Sequence, residues 1–276
     1  MTIRIVTDST ADIPADLTKA LDITVVPLSV HFGLETFKDG VDISSDQFFE
    51  KLQKTQTLPK TSQPSTGEFL EVYNRYPKDQ ILSIHVAQKL SGTFNSASVA
   101  AQQAGVERIA VVDSRLVSMG LGMVVIETAK KTKAGMGLRE AVQYAEACIE
   151  RVHCLLTLDT LEYLQKGGRI GKAQAFLGST LGIKPVLSVK DGEVHPIERV
   201  RTRAKAIDRV LEMTSAIPKA SRHFVMHSVA PQDAEMLAKR LRDSFPDKEV
   251  IIGKLGPVIG VYAGPGTVAI ATLEAE

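Results

Sequence analysis

Apolar residues in the first half of the chain come in short, β-branched runs: Ile3 to Asp8, Ile23 to Val30, Ile81 to Ala87 and Arg108 to Asp113. Runs without polar alternation suit strands covered on both faces. Between them, Ser44-Ser45-Asp46-Gln47 and Ser65-Thr66-Gly67-Glu68 have the spacing of capping boxes, in which the first side chain accepts a helix N–H and the fourth reaches back to the cap. Strands alternating with helices predict a largely parallel sheet, whose ligands bind outside the carboxyl ends of the strands. Asp8-Ser9-Thr10, Thr61-Ser62 and Ser91-Thr93 are all expected in such loops.

Two helical patterns in succession, Ser118 to Lys133 and Leu138 to Arg151, separate this half from a differently built one, with the boundary near Val152. Beyond it, Lys184 to Val189 and Glu193 to Arg201 flank Lys190-Asp191-Gly192, an Asp-Gly hairpin turn. With His153 to Leu158, His223 to Ser228, Glu249 to Lys254 and Thr267 to Leu273, about six strands are expected in a mixed or antiparallel sheet. The predicted class is therefore α/β in two domains: an N-terminal α/β domain over 1–152 with a mostly parallel sheet, and a C-terminal α+β domain over 153–276.

The chain has 276 residues, 44% of them hydrophobic, which is enough for sizeable cores. Its 33 basic and 32 acidic residues leave a net charge of +1, so the chain as a whole carries no electrostatic signature for nucleic acid. The start, Met1-Thr2-Ile3-Arg4-Ile5-Val6, reads as a first strand rather than a secretory segment, and a cytoplasmic location is expected. The greasiest stretch, Val117 to Ile126, is interrupted by glycines and is shorter than the roughly 18 residues a membrane span needs, so none is expected. Cys148 and Cys154 support neither a disulfide framework nor a zinc site and read as small buried side chains. The six histidines are scattered without metal-ligand spacing, so no metal and no cofactor are expected.

Candidate chemistry concentrates at Leu90-Ser91-Gly92-Thr93, which opens a helix directly after a strand. It offers two hydroxyls and free backbone N–H groups to an anion, with a glycine that allows close approach. Ser91 serves equally well as a simple cap. Thr61 and Ser62 form a second hydroxyl pair in a predicted loop, upstream of the cap Ser65 and not needed for it. Two such loops converging on one acidic head group would bind a carboxylate or phosphate. Gly167-Gly168-Arg169-Ile170-Gly171-Lys172 lacks a phosphate loop's glycine at Lys166 and its hydroxyl at Ala173, but still presents a guanidinium on a flexible turn. In the Gly- and Pro-rich tail, 256–266, Tyr262 is the single side chain with a polar tip. A serine hydrolase with Ser91 as nucleophile is the alternative. His85 is the base nearest to it in sequence, and no nucleophile-elbow motif is present.

Thr7-Asp8-Ser9-Thr10-Ala11-Asp12, Lys38-Asp39-Gly40-Val41-Asp42-Ile43, Thr61-Ser62-Gln63-Pro64-Ser65, Leu90-Ser91-Gly92-Thr93 and Asp159-Thr160-Leu161-Glu162-Tyr163-Leu164, followed by Gly167-Gly168-Arg169-Ile170, together resemble the DegV family of bacterial fatty-acid-binding proteins, and the likeness extends through Ile183-Lys184-Pro185 to the tail. The resemblance implies a non-enzymatic carrier that encloses a long-chain fatty acid of the palmitate, stearate or oleate class between two domains and presents it to a separate fatty-acid kinase. It implies that Thr61 and Ser91 hold the carboxylate with Ser62, Gly92 and Thr93 beside them, and that Asp39, Arg169 and Arg201 meet the kinase. Where this chain has Tyr262, the family usually has a histidine near the carboxylate. A phenol with an ordinary pKa near 10 donates a hydrogen bond but supplies no cation at neutral pH.

Overall fold

The computed structural model describes residues 2–178 and 182–276. In chain order its elements are β1 (Ile3–Asp8), α1 (Ala15–Leu21), β2 (Ile23–Val26), β3 (Ser29–Phe32), β4 (Glu35–Lys38), α2 (Ser45–Lys54), β5 (Lys60–Ser62), α3 (Thr66–Asn74), β6 (Gln80–His85), α4 (Thr93–Ala104), β7 (Ile109–Asp113), α5 (Met119–Lys133) and α6 (Leu138–Glu150). There follow β8 (Val152–Thr157), α7 (Glu162–Lys166), β9 (Lys184–Lys190), β10 (Glu193–Val200), α8 (Arg203–Ser215), β11 (Ala220–His227), α9 (Pro231–Ser244), β12 (Glu249–Lys254), α10 (Pro257–Ala263) and β13 (Val268–Glu274).

The expected α/β class is what the structure has. Strands β2-β1-β6-β7 form a four-stranded sheet, parallel throughout. Six strands in the order β10-β9-β8-β13-β11-β12 form the second sheet, antiparallel except where β11 meets β12. Both predicted capping boxes are made: Ser44 and Ser65 accept from the N–H groups of Gln47 and Glu68, whose side chains accept from the caps in return. Asp191 and Gly192 both have positive φ, 52° and 75°, the backbone of a tight hairpin turn that suits Asp-Gly.

The run Ile23 to Val30 is not one strand. Pro27 has no N–H to give to a ladder, and the chain breaks there into β2 and β3. Strand β3 belongs to a third, antiparallel sheet of order β4-β3-β5. Thr61 and Ser62 consequently sit in strand β5 rather than in a loop, paired with Val30 and Ser29. The tail, expected only to follow a particular path, contains the helix α10.

Helix α5 joins the two larger sheets. It packs against β1 of the first and against β8 and β13 of the second. One apolar cluster therefore runs from Ile5 and Leu82 through Leu121 and Val124 to Phe224 and Leu273. Two glycines make this approach possible: a Cβ on Gly120 would stand 2.5 Å from Cys154 Sγ, and one on Gly122 would stand 2.6 Å from the carbonyl oxygen of Ala11. Cys148 is buried as expected and Cys154 is partly buried against the same cluster, and desolvation pushes their thiols up to about 11 and about 12. Gly120→Ala should destabilise the protein by about 1–3 kcal/mol through overpacking. Adding Cys154→Ala, which removes the obstructing sulfur, should recover much of that loss, and a double-mutant cycle in urea reads the coupling. Strictly additive losses would show that the helix does not depend on this contact.

Candidate functional site

The carboxyl ends of β1 and β6 lie side by side, and a single buried carboxyl group ties them. Asp8 Oδ1 accepts from the Thr10 N–H at 3.1 Å and from the Thr10 hydroxyl at 2.5 Å. Its Oδ2 accepts from the Val86 N–H at 3.0 Å and lies 3.0 Å from His85 Nδ1. The other ring nitrogen of His85 is 2.7 Å from Ser83 Oγ, which in turn accepts from the Tyr73 hydroxyl at 2.9 Å. Asp8, Ser83 and His85 are completely buried. This array is structural: it fixes the loops that leave the two strands.

Those loops border a cavity of about 310 Å³, within the size range of small-molecule sites. Leu28, Val86, Val117, Leu158, Leu164 and Val258 line it, and Leu156, Val189 and Val194 project into it from β8, β9 and β10 of the six-stranded sheet. The void thus lies between the strand ends of one sheet and a face of the other. Its polar lining is small: Thr10, Thr61, Ser62, Gln63, Ser91, Arg169 and Tyr262.

Several of these polar groups touch in sequence. Thr61 Oγ1 lies 2.5 Å from the Tyr262 hydroxyl, and the Arg169 guanidinium stands over the Tyr262 ring, 5.0 Å from its centroid. Arg169 Nε donates to the Leu90 carbonyl at 3.1 Å, beside Ser91, and Nη1 donates to the Gly167 carbonyl at 2.8 Å. Ring contacts hold α7 and α10 together: a Cβ on Gly167 would fall 2.4 Å from the Tyr262 ring, and one on Gly264, where φ is +70°, would fall 2.3 Å from the Tyr163 ring. Tyr262 is therefore clamped in place, with its hydroxyl directed at β5.

Of the residues expected to surround a head group, Thr61, Ser62, Ser91 and Tyr262 line the cavity, whereas Gly92 and Thr93 do not. Thr93 is fully buried; its N–H donates to Ser91 Oγ at 3.3 Å and the two hydroxyls lie 2.8 Å apart. The space that Gly92 leaves open is occupied by Gln63, whose amide would be 2.5 Å from a Cβ there. Ser62 Oγ is 2.9 Å from His31 Nε2. Thr10 lies in the loop after β1, one of those expected at the ligand end of the sheet, whereas nothing in the sequence marks Gln63, one neutral polar side chain among several, as a lining residue.

The three residues that the resemblance placed at a partner surface separate. Arg201 is exposed, and Arg169 is half-buried against the cavity. Asp39 is only 4% exposed, so its carboxyl is not presented to a partner. It accepts from the Ser9 hydroxyl at 2.8 Å and from the Val258 N–H, while Asp12 accepts from the Gly256 N–H at 2.9 Å and the Ser118 hydroxyl at 2.5 Å. The two acids thus cap the start of α10, the helix that carries Tyr262. Desolvation raises both: Asp12 goes well above the ordinary carboxylate range, and Asp39 goes to about 7. Among the described residues no cluster of His, Cys, Asp and Glu is suited to a metal ion, and no helix is long and apolar enough to cross a membrane.

The hydrolase alternative fails on this geometry. His85, its proposed base, is buried with both ring nitrogens engaged by Asp8 and Ser83, and among the described residues no histidine or lysine lines the cavity with Ser91.

The family described as "Uncharacterised protein, DegV family" matches residues 2–275. A DegV domain-containing protein of Streptomyces coelicolor is 39% identical over 274 residues, covering 97% of this chain and 97% of that protein. Among solved structures, a fatty-acid-binding DegV family protein from Thermus thermophilus superposes with a TM-score of 0.94 at 35% identity, covering 100% of both chains. DegV of Bacillus subtilis, a fatty-acid-binding protein, superposes with a TM-score of 0.91 at 32% identity, covering 99% of this chain and 100% of that one.

The raised pKa of Asp39 sets a pH dependence. The folded state holds the proton to about pH 7 whereas the unfolded state releases it near pH 4, so the folded state binds more protons in between and stability falls as pH rises through that window. Asp39→Asn cannot titrate. The stability of the wild type relative to Asp39→Asn, from urea midpoints at pH 4.5–8, should decline across that window and level off above it; a flat difference would contradict the assignment.

Proposed function

The chain belongs to the DegV family, and on that premise we propose that it binds one long-chain fatty acid, with the acyl chain in the cavity between the two sheets and the carboxylate among Thr61, Ser91 and Tyr262. The single observation that carries this reading is an apolar void bordered by hydroxyl donors that touch one another, in a fold shared with fatty-acid-binding relatives. In it the halves 1–152 and 153–276 act as two domains that form opposite walls. Ser62 belongs to the polar rim, while Gly92 and Thr93 shape the loop that presents Ser91.

Magnitudes divide the work between tail and head. At about 0.8 kcal/mol per buried CH₂, some 14 methylenes contribute on the order of 11 kcal/mol before ordering costs. Charge-assisted hydrogen bonds contribute roughly 1.5–3 kcal/mol each, and a buried carboxylate without them costs several. The tail sets affinity and the hydroxyls set orientation. A sugar phosphate would find too few polar partners on these walls.

The protein is read as a carrier without catalytic residues, in keeping with the engagement of His85. Presentation of the acid to a fatty-acid kinase is the finer part of the proposal. Exposed Arg201 is available for that contact, and enclosed Asp39 acts at most through α10.

Denaturing extraction of purified protein followed by mass spectrometry should yield a fatty acid of the palmitate, stearate or oleate class, and delipidated protein should rebind oleate or palmitate. No co-purified lipid together with no rebinding would eliminate the carrier reading. Thr61→Ala/Ser91→Ala should weaken oleate binding by roughly ten- to a hundredfold while leaving the fold intact. Unchanged affinity in the double variant would remove those hydroxyls from the head-group site.

A further inference from the structure

We propose that the carboxyl end of the β11–α9–β12 unit is a second ligand site, one that takes a phosphate group, either free or carried on a small molecule. It lies apart from the fatty-acid cavity and does not depend on that reading. Strands β11 and β12 are the parallel pair of the otherwise antiparallel six-stranded sheet, and α9 crosses between them. In such a unit ligands bind where the strands end and the helix begins. A cavity of about 350 Å³ lies there. It is lined by His227, the last residue of β11, by Lys254, the last of β12, by Val229 and Pro231 at the start of α9, and by Asp46 and Phe49 of α2.

Two independent observations point to an anion. Helix α9, 14 residues long, has no side-chain cap, and among the described residues the N–H groups of Gln232 and Asp233 in its first turn meet no acceptor. His227 is the second observation. It is only 7% exposed, yet among the described residues its Nε2 has no partner, and the ring borders the cavity. Its Nδ1 accepts from the Ala230 N–H at 3.4 Å. A backbone N–H can only donate, so Nδ1 is bare and the proton of the neutral ring sits on Nε2. Burial and the Lys254 ammonium lower the pKa of the ring, which favours this neutral form. The imidazole thus gives the cavity an N–H donor, the helix end gives two more, and Lys254 adds a charge. Donors that arrive from two strand ends and a helix end suit the separate oxygens of a tetrahedral anion better than the two of a planar carboxylate. Lys254 is paired with Asp46 at 2.6 Å, but both side chains are more than half exposed, and so open a pair holds weakly enough for the lysine to turn to a phosphate. Asp233 is itself neutralised by Arg203. Phe49, Val229 and Pro231 offer an apolar wall to the organic body of a phosphate ester.

The test adds inorganic phosphate, phenyl phosphate or acetate to the full chain at constant ionic strength and follows the amides of Gln232 and Asp233 and the His227 Nε2–H by proton–nitrogen correlation NMR. Both phosphates should shift these signals saturably below about 20 mM, and acetate should bind roughly threefold or more weakly. Phenyl phosphate binding more tightly than inorganic phosphate supports the site as one for an ester, and equal binding supports it as one for free phosphate. Lys254→Gln and His227→Phe should each weaken phenyl phosphate by roughly three- to tenfold, whereas Asp46→Asn, which releases Lys254, should strengthen it by about the same factor. No saturable shift in wild type would overturn the proposal. So would acetate binding as tightly as phosphate, or an affinity that Lys254→Gln or a folded His227→Phe leaves unchanged. If His227→Phe does not fold, Asp46→Asn decides: phenyl phosphate bound no more tightly than by wild type overturns it.

Discussion

The buried carboxyl group of Asp8 is the tie on which this site depends. It is sequestered from water, yet it meets two N–H groups, a hydroxyl and an imidazole nitrogen. Without those partners its burial would cost several kcal/mol; with them the cost becomes a constraint, because every partner must stay in place for the group to be satisfied. The partners lie at the ends of two adjacent parallel strands, so one carboxyl fixes the start of both loops that border the cavity. Thr10 and the Leu90-Ser91 segment are placed by that constraint before any ligand enters. Preorganisation of this kind spares the ordering cost that a mobile loop would bear on binding.

A second constraint keeps the void open. Apolar walls in water close on each other unless the elements behind them cannot move closer, and here they cannot. Gly120 lets α5 close onto Cys154 of β8 and Gly122 lets it close onto the Ala11 carbonyl after β1, and ring-on-glycine contacts lock α7 to α10. The sheets are held apart by a fully packed helix on one side, and the space that remains on the other is bounded by strand ends and by short helices. The void thus follows from close packing elsewhere.

Much of this was legible in the chain. The β-branched runs, both capping boxes and the Asp-Gly turn gave the strand and helix order of the two larger sheets, and the hydroxyls at 61, 62 and 91 marked the cavity rim. The small sheet of β3, β4 and β5 was not legible, because Glu35–Lys38 and Lys60–Ser62 are short and mostly polar, and β5 pairs with β3 from some 30 residues away in sequence. Helix α10 could have been found: Pro257 at its first turn and Gly264 just past its end are the ordinary punctuation of a helix. The walls were hidden for a different reason. Leu155 and Leu156 are the same residue type on opposite faces of β8, so their identity does not tell which faces helices and which faces the void.

Tyr262 shows how one side chain shapes the work of its neighbours. A tyrosine reaches Thr61 with its hydroxyl and gives Arg169 an aromatic face to rest on. Among the described residues that line the cavity, positive charge has one source, the Arg169 guanidinium. A histidine in place of Tyr262 would couple the charge of the rim to pH near neutrality. The carboxyl that desolvation raises to about 7, Asp39, lies at the start of the same helix, away from Tyr262. Protonation of Asp39 therefore acts on this site through the anchoring of α10.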